Sequence, residues 1–96
     1  MAFVFEWDAG KASRNLRKHG VSFDEASTVF DDLLASIFPD DVHSGHEKRE
    51  ILIGQSTMGR LLLVSFTERR QGGIRIISAR RATRREQKDH EEQGIR

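Results

Sequence analysis

The stretch from Ile74 to Glu86, IRIISARRATRRE, begins with residues that leave water and ends in guanidinium groups, Arg80, Arg81, Arg84 and Arg85. Arginine suits phosphate because its planar fork meets the oxygens at two points and its charge does not titrate away. One phosphate chemistry needs no metal. The 2′-hydroxyl of RNA attacks the neighbouring phosphate if one group takes its proton, another protonates the leaving 5′-oxygen, and cations hold the phosphorane charge. Arg69 and Arg80 end successive strands, so both are expected near one end of a sheet face, subject to register. His19 is the candidate proton shuttle, with Glu47, Glu50 and Glu68 as carboxylate alternatives. Lys11, Lys18, Arg49, Arg75, Arg81 and Arg84 are candidates for holding the RNA backbone. Plainer readings stand beside these: His19 as a cation at a helix C-terminus, Glu68 as an arginine's ion-pair partner, and Lys11 and Lys18 as solvated surface.

Other motifs carry less. Gly54-Gln-Ser-Thr-Met-Gly59 has the spacing of a phosphate loop, but it lacks the Lys-Ser/Thr that should follow and leads into a strand, so a hairpin turn is expected. His43-x-x-His46-Glu47 lies in a polar loop without a third well-placed ligand, so neither a metal nor another cofactor is expected. No Gly-x-Ser-x-Gly or Cys/His arrangement supplies a nucleophile.

The elements that must position these residues fit one domain spanning residues 1–96. The chain is 36% apolar, about 44% with its eight glycines counted, just under the usual globular range. Cysteine is absent, which excludes disulfides and thiolate metal sites. No leader peptide is visible at MAFVFEWD and no apolar run reaches membrane-spanning length. A cytoplasmic protein is expected. The net charge of +1 hides an asymmetry: residues 22 to 50 carry eight acids against Lys48 and Arg49, while residues 69 to 88 carry eight cations against Glu86. Charges sorted in this way favour a basic face and a polyanionic partner.

FVFEW alternates like a strand. Asp8 is a candidate N-cap for a first helix whose apolar stripe is Ala9, Ala12 and Leu16, with Lys11, Arg14, Asn15 and Lys18 opposite and Gly20 ending it. Ser22 and Glu25 form a capping box for a second helix that buries Phe23, Ala26 and Phe30. LASIF, EILIG, RLLLVSFTER and IRIISAR then read as strands joined by short turns. Thr83 and Glu86 cap a last helix, about residues 83 to 92, that is polar all round and so either marginal or docked onto something charged. The expected fold is α+β, ordered β-α-α-β-β-β-β-α, with two helices on one face of an antiparallel sheet and the other face left for a ligand or partner.

The segments FEWDAGKASRNLRKHGVSFDEA, VFDD, EKRE, GRLLLVSFTER and IRIISARRATRREQKDHEE resemble, in order, the BrnT toxin family over residues 3 to 92, with KHGVSF and IRIISAR the specific parts. The resemblance implies a RelE-like ribonuclease toxin of a bacterial type II toxin–antitoxin pair, which blocks translation. It also implies neutralisation by a cognate antitoxin with a ribbon-helix-helix DNA-binding domain, so that DNA is met only through the antitoxin and no membrane is involved. The family pattern favours a tyrosine late in the last helix, where this chain has His90; the histidine either serves as acid or base there or marks weakened activity. A second reading remains open at this point: a non-catalytic subunit whose basic face docks an acidic antitoxin in a repressor complex.

Overall fold

The structure, a computed structural model, describes residues 3–94. Its strands are β1 (Val4–Glu6), β2 (Ser36–Pro39), β3 (Glu50–Gln55), β4 (Leu61–Glu68) and β5 (Gly73–Arg81), and its helices α1 (Ala9–His19), α2 (Phe23–Thr28) and α3 (Arg84–Gly94), with single 3-10 turns at Val29–Asp31 and Arg70–Gly72. The strands form one sheet in the order β1-β5-β4-β3-β2. β2 to β5 are antiparallel neighbours, as a meander requires. β1 corrects the all-antiparallel expectation, because it joins the far edge parallel to β5, Phe5 opposite Ile74 and Glu6 opposite Arg75. The physical reason is that β5 ends the β2–β5 meander and offers its outer edge to the first strand, which a strand pattern alone does not reveal.

One face of the sheet carries the core. Leu52, Leu62, Val64, Phe66, Ile74, Ile76 and Ala79 pack against Val21, Phe23, Ala26 and Val29. Each large side chain removed from water here contributes about 1.5–3 kcal/mol. Phe30 meets Phe5 and Phe66 edge-on at 5.1 and 5.0 Å between ring centroids. Gly54 lies under the chain that leaves α2, where an added Cβ would come within 2.8 Å of Ala35 Cβ, so no larger residue fits without a shift.

The caps follow the sequence, with one difference. Asp8 Oδ2 accepts from Lys11 N at 2.9 Å, which opens α1. Gly20 ends it with φ +69°, donating its N–H to Leu16 O. Ser22 caps α2 through Glu25 N at 3.0 Å, but Glu25 does not return the bond. Its carboxylate is buried and accepts from Ser56 Oγ at 2.7 Å and from Arg60. Arg60 also donates to Gly20 O at 3.0 Å, tying both helices to the β3–β4 hairpin. The arginine bond is the main reason the Glu25 carboxyl is held below its ordinary range.

α1 is turned relative to the expected stripe. Ala9 and Leu16 are exposed, Ala12 and His19 are half-buried, and the buried residue is Asn15. β1 pairs only with the first part of β5, so near Ala79 the edge of β5 that faces away from β4 has no strand partner. Asn15 supplies one. Its amide donates to Ala79 O at 2.8 Å and to Val21 O at 3.0 Å, and its carbonyl accepts from Ala79 N at 3.1 Å. A buried backbone group must be paired, so α1 lies along the edge of β5 and its C-terminus reaches the second face of the sheet.

Candidate functional site

The second face is where side chains with chemistry converge. The register puts Arg80 opposite Leu63 and Ser78 opposite Ser65, while Ile51 is opposite Ser65 on the other side. These residues floor a cleft of about 380 Å³, a size suited to a small ligand or one nucleotide. Three elements wall it: the C-terminus of α1 with His19, the loop after β2 with Asp40 and His43, and the end of β5 with Arg80.

Arg80 does not hang free. Its two terminal nitrogens donate to the two oxygens of Glu86 at 2.8 and 2.9 Å, and one of them also donates to Arg81 O at 3.2 Å. Glu86 is held in turn by the capping box of α3, accepting from Thr83 N at 2.8 Å while Thr83 Oγ1 accepts from Glu86 N at 3.1 Å. The guanidinium is the chief reason that the Glu86 carboxyl sits at about 2. The polar last helix therefore docks through a charge, and it also docks through a ring. His90 is half-buried between two shallow hollows, one including Leu34 and Leu61, the other Phe38, Ile51, Ile53 and Leu63. Its Nδ1 is buried without a hydrogen-bond partner. Part of the second face is thus covered by α3, and the open part is the cleft at Arg80.

Comparison with known proteins gives the family and the fold. The sequence profile of a family described as "Ribonuclease toxin, BrnT, of type II toxin-antitoxin system" matches residues 7–86. The chain belongs to this BrnT family. The crystal structure of the Brucella abortus ribonuclease toxin, BrnT, at 1.1 Å resolution is similar in fold, with a TM-score of 0.67 and 25% identity over 86% of this chain and 100% of that one. A comparison with curated proteins returned no significant match.

The BrnT-family chain does not bring all the anticipated residues together. Arg69 and Arg80 lie at opposite ends of the sheet, because consecutive antiparallel strands end at opposite ends. Arg80 is level with Leu63, whereas Arg69 follows Glu68, which is level with Ile74. Six residues of strand separate the two levels, roughly 20 Å. At that far end Arg69 pairs with Glu47 at 2.9 Å, and Glu47, Glu50 and Glu68 border a different hollow. None of the three carboxylates reaches the cleft, and Arg69 is not a neighbour of Arg80.

The remaining cations are also dispersed. Arg75 pairs with Glu6 at 2.9 Å on the β1 edge. Arg81 alternates to the helix side, opposite Leu62, where its charge acts on Glu25. Lys11 and Lys18 are exposed on α1, Arg84 is exposed on the first turn of α3, and Arg49 is half-buried at the end of the β2–β3 loop. The single basic face expected from the charge asymmetry is therefore divided among the two faces and both ends of the sheet.

What residue types alone did not bring out is the role of the β2–β3 loop. His43 belongs with Asp40 rather than with His46 and Glu47: its Nδ1 lies 3.2 and 3.1 Å from the two Asp40 oxygens. The loop is braced across its base. Asp40 N donates to Arg49 O at 2.9 Å. Ser44 Oγ donates to Asp40 O at 2.7 Å and accepts from Arg49 N at 3.0 Å. The available signal was the Pro-Asp-x-x-His spacing, in which a turn brings the i and i+3 side chains together. Among the described residues no three His, Asp or Glu side chains gather as a metal site, and no helix is long and apolar enough to cross a membrane.

Proposed function

We propose that this BrnT-family ribonuclease toxin is a metal-independent endoribonuclease that cleaves RNA by attack of the 2′-hydroxyl on the adjacent phosphate, and so blocks translation in the cytoplasm. The observation that carries the reading is the cleft that sets Arg80, held at two points by Glu86, beside His19 at the C-terminus of α1. The Arg80 donors not directed at Glu86 meet the phosphorane oxygens, where fixed donors stabilise developing charge without reorganising. His19 exchanges a proton with the reacting oxygens. Lys18 and Arg84 hold the flanking backbone electrostatically. In this reading the fold is RelE-like, and the α+β architecture supports it.

The cognate partner, in this reading, is an antitoxin with a ribbon-helix-helix domain that contacts DNA on behalf of the pair. The purely docking alternative rests on a continuous basic face, and the dispersal of Arg69, Arg75, Arg80 and Arg81 does not favour it.

The test is cleavage of a defined RNA by the purified, antitoxin-free protein in EDTA. Products ending in a 2′,3′-cyclic phosphate and a 5′-hydroxyl are expected, and a single 2′-deoxy substitution should abolish cleavage at that bond. Absence of cleavage, or activity that requires an added divalent ion, would overturn the reading.

A further inference from the structure

Transesterification of RNA needs two proton transfers, one from the attacking 2′-hydroxyl and one to the departing 5′-oxygen. The cleft at Arg80 presents two imidazoles, His19 from α1 and His43 from the β2–β3 loop. The carboxylates that might have replaced one of them, Glu47, Glu50 and Glu68, border a separate hollow at the other end of the sheet. Asp40 also lines the cleft, but its two oxygens are both turned to His43 Nδ1. We propose that His43, held by Asp40, is the general base of this site and that His19 is its general acid. The proposal rests on the ribonuclease reading and deepens it.

The geometry assigns the roles through the tautomer. A carboxylate against Nδ1 keeps the imidazole N–H on that nitrogen and leaves Nε2 with its lone pair free, as a base requires. The same carboxylate stabilises the imidazolium that forms when the proton arrives. The braces from Ser44 and Arg49 hold the loop that presents the ring. The charged or titratable groups that share the cleft with His43 are Asp40 from its own loop, which contacts it, His19 from α1 and Arg80 from β5.

The step balances without a further reactant. His43 Nε2 takes the proton of the 2′-hydroxyl as O2′ bonds to phosphorus. Arg80 neutralises the equatorial oxygens of the phosphorane. The P–O5′ bond breaks and the oxygen leaves with the proton of His19. The products are a 2′,3′-cyclic phosphate and a 5′-hydroxyl, with His43 protonated and His19 neutral; exchange with water resets both. Asp40 is a positioning residue, acting only through His43.

Four variants, one of them the Asp40→Asn/His43→Gln double, and two substrates test this. The substrates are an RNA oligonucleotide with one cleavable bond and the same oligonucleotide with sulfur replacing the bridging 5′-oxygen, whose leaving group needs no proton. The wild type should show a bell-shaped dependence of kcat/KM on pH. His43→Gln should lower cleavage of the ordinary substrate by roughly 10²–10⁴-fold and remove the rising limb at low pH. The sulfur substrate should not rescue it. His19→Gln should lose the falling limb at high pH and be restored to near wild-type rate by the sulfur substrate. Asp40→Asn should slow the wild type but add little to His43→Gln, because residues acting as one unit are not additive. Rescue of His43→Gln by sulfur would reverse the assignment and overturn the proposal. A His43→Gln rate within threefold of wild type would overturn it while leaving the ribonuclease reading intact, and a wild type that cleaves neither substrate would remove both.

Discussion

Arg80 and Glu86 face one another across the turn from β5 into α3 and are joined at two points, 2.8 and 2.9 Å. The same carboxylate closes the capping box with Thr83. One glutamate therefore starts the last helix and aims the arginine of the cleft, so the position of α3 and the direction of the guanidinium are set together. Because both partners are partly exposed, with side chains 41% and 31% accessible, the pair stabilises the fold only modestly. Its weight is in geometry.

Arg80→Ala should leave the protein folded, since little apolar volume is lost at a strand end. Cleavage should fall by roughly 10²–10³-fold, the cost of removing one transition-state donor. RNA binding should weaken by about one decade, the lower end of the roughly 1.5–3 kcal/mol that a hydrogen bond to a charged group is worth, because other cations remain. Single-turnover rates alongside equilibrium binding separate the two effects. Equal losses in rate and binding would mean that Arg80 holds substrate without acting on the transition state.

Arg69→Ala should behave differently. Its guanidinium is paired with Glu47 at the far end of the sheet, and an exposed pair is worth about 0–1 kcal/mol. Cleavage by this variant should stay within about threefold of wild type. A hundredfold loss would show that RNA spans the whole second face, from the cleft to the Glu47 hollow.

Glu86 makes stability depend on acid. Its folded pKa of about 2 is below the ordinary 4.5, chiefly through Arg80. A depressed carboxylate contributes stability that is complete above its unfolded value and is lost as pH falls through the folded one. Glu86→Gln should therefore be less stable than wild type at pH 7, and the gap should close between about pH 4.5 and pH 2. Urea midpoints measured across that window check the sign. A gap that persists at pH 2 would place the loss in the capping box alone.

Asn15→Ala should be among the more damaging single changes. It leaves Ala79 N, Ala79 O and Val21 O without their partner, and each buried unsatisfied group costs about 1–3 kcal/mol. A loss of about 2–4 kcal/mol in urea unfolding is expected after partial relaxation. Cleavage should drop even below the unfolding transition, because the C-terminus of α1, with His19, loses its seat. Wild-type stability in this variant would mean that water replaces the amide.

RNA affinity should fall steeply with salt, by a slope of about −0.7 in log K against log salt for each phosphate neutralised on a single strand. Arg80→Ala should reduce the magnitude of the slope by about 0.7. Fluorescence anisotropy with a labelled oligonucleotide at several salt concentrations measures both. Affinity unchanged between low and physiological salt would remove the phosphate role assigned to these cations.

Much of the fold is local and therefore legible in residue order. Asp8, Ser22 and Thr83 announce their helices because a cap acts within three residues, Gly20 ends α1 because few other residues take its dihedral, and apolar runs bounded by turn residues mark β3 to β5. The pairing of one strand's start with another's end is not local. That β1 runs parallel to β5, and that Arg69 and Arg80 stand at opposite ends of the sheet, follow from strand order and register, which depend on all the strands at once. The same limit explains Asn15. Its type and helical position read as solvated surface, and only the bare edge of β5 near Ala79 makes it the buried residue of α1. The site divides in the same way. Arg80 and His19 were visible as chemistry in search of a place, since arginine and histidine are what phosphate transfer uses. Their meeting, with His43 turned onto Asp40 beside them, was decided by tertiary structure, because three segments distant in sequence had to be folded over one face of one sheet.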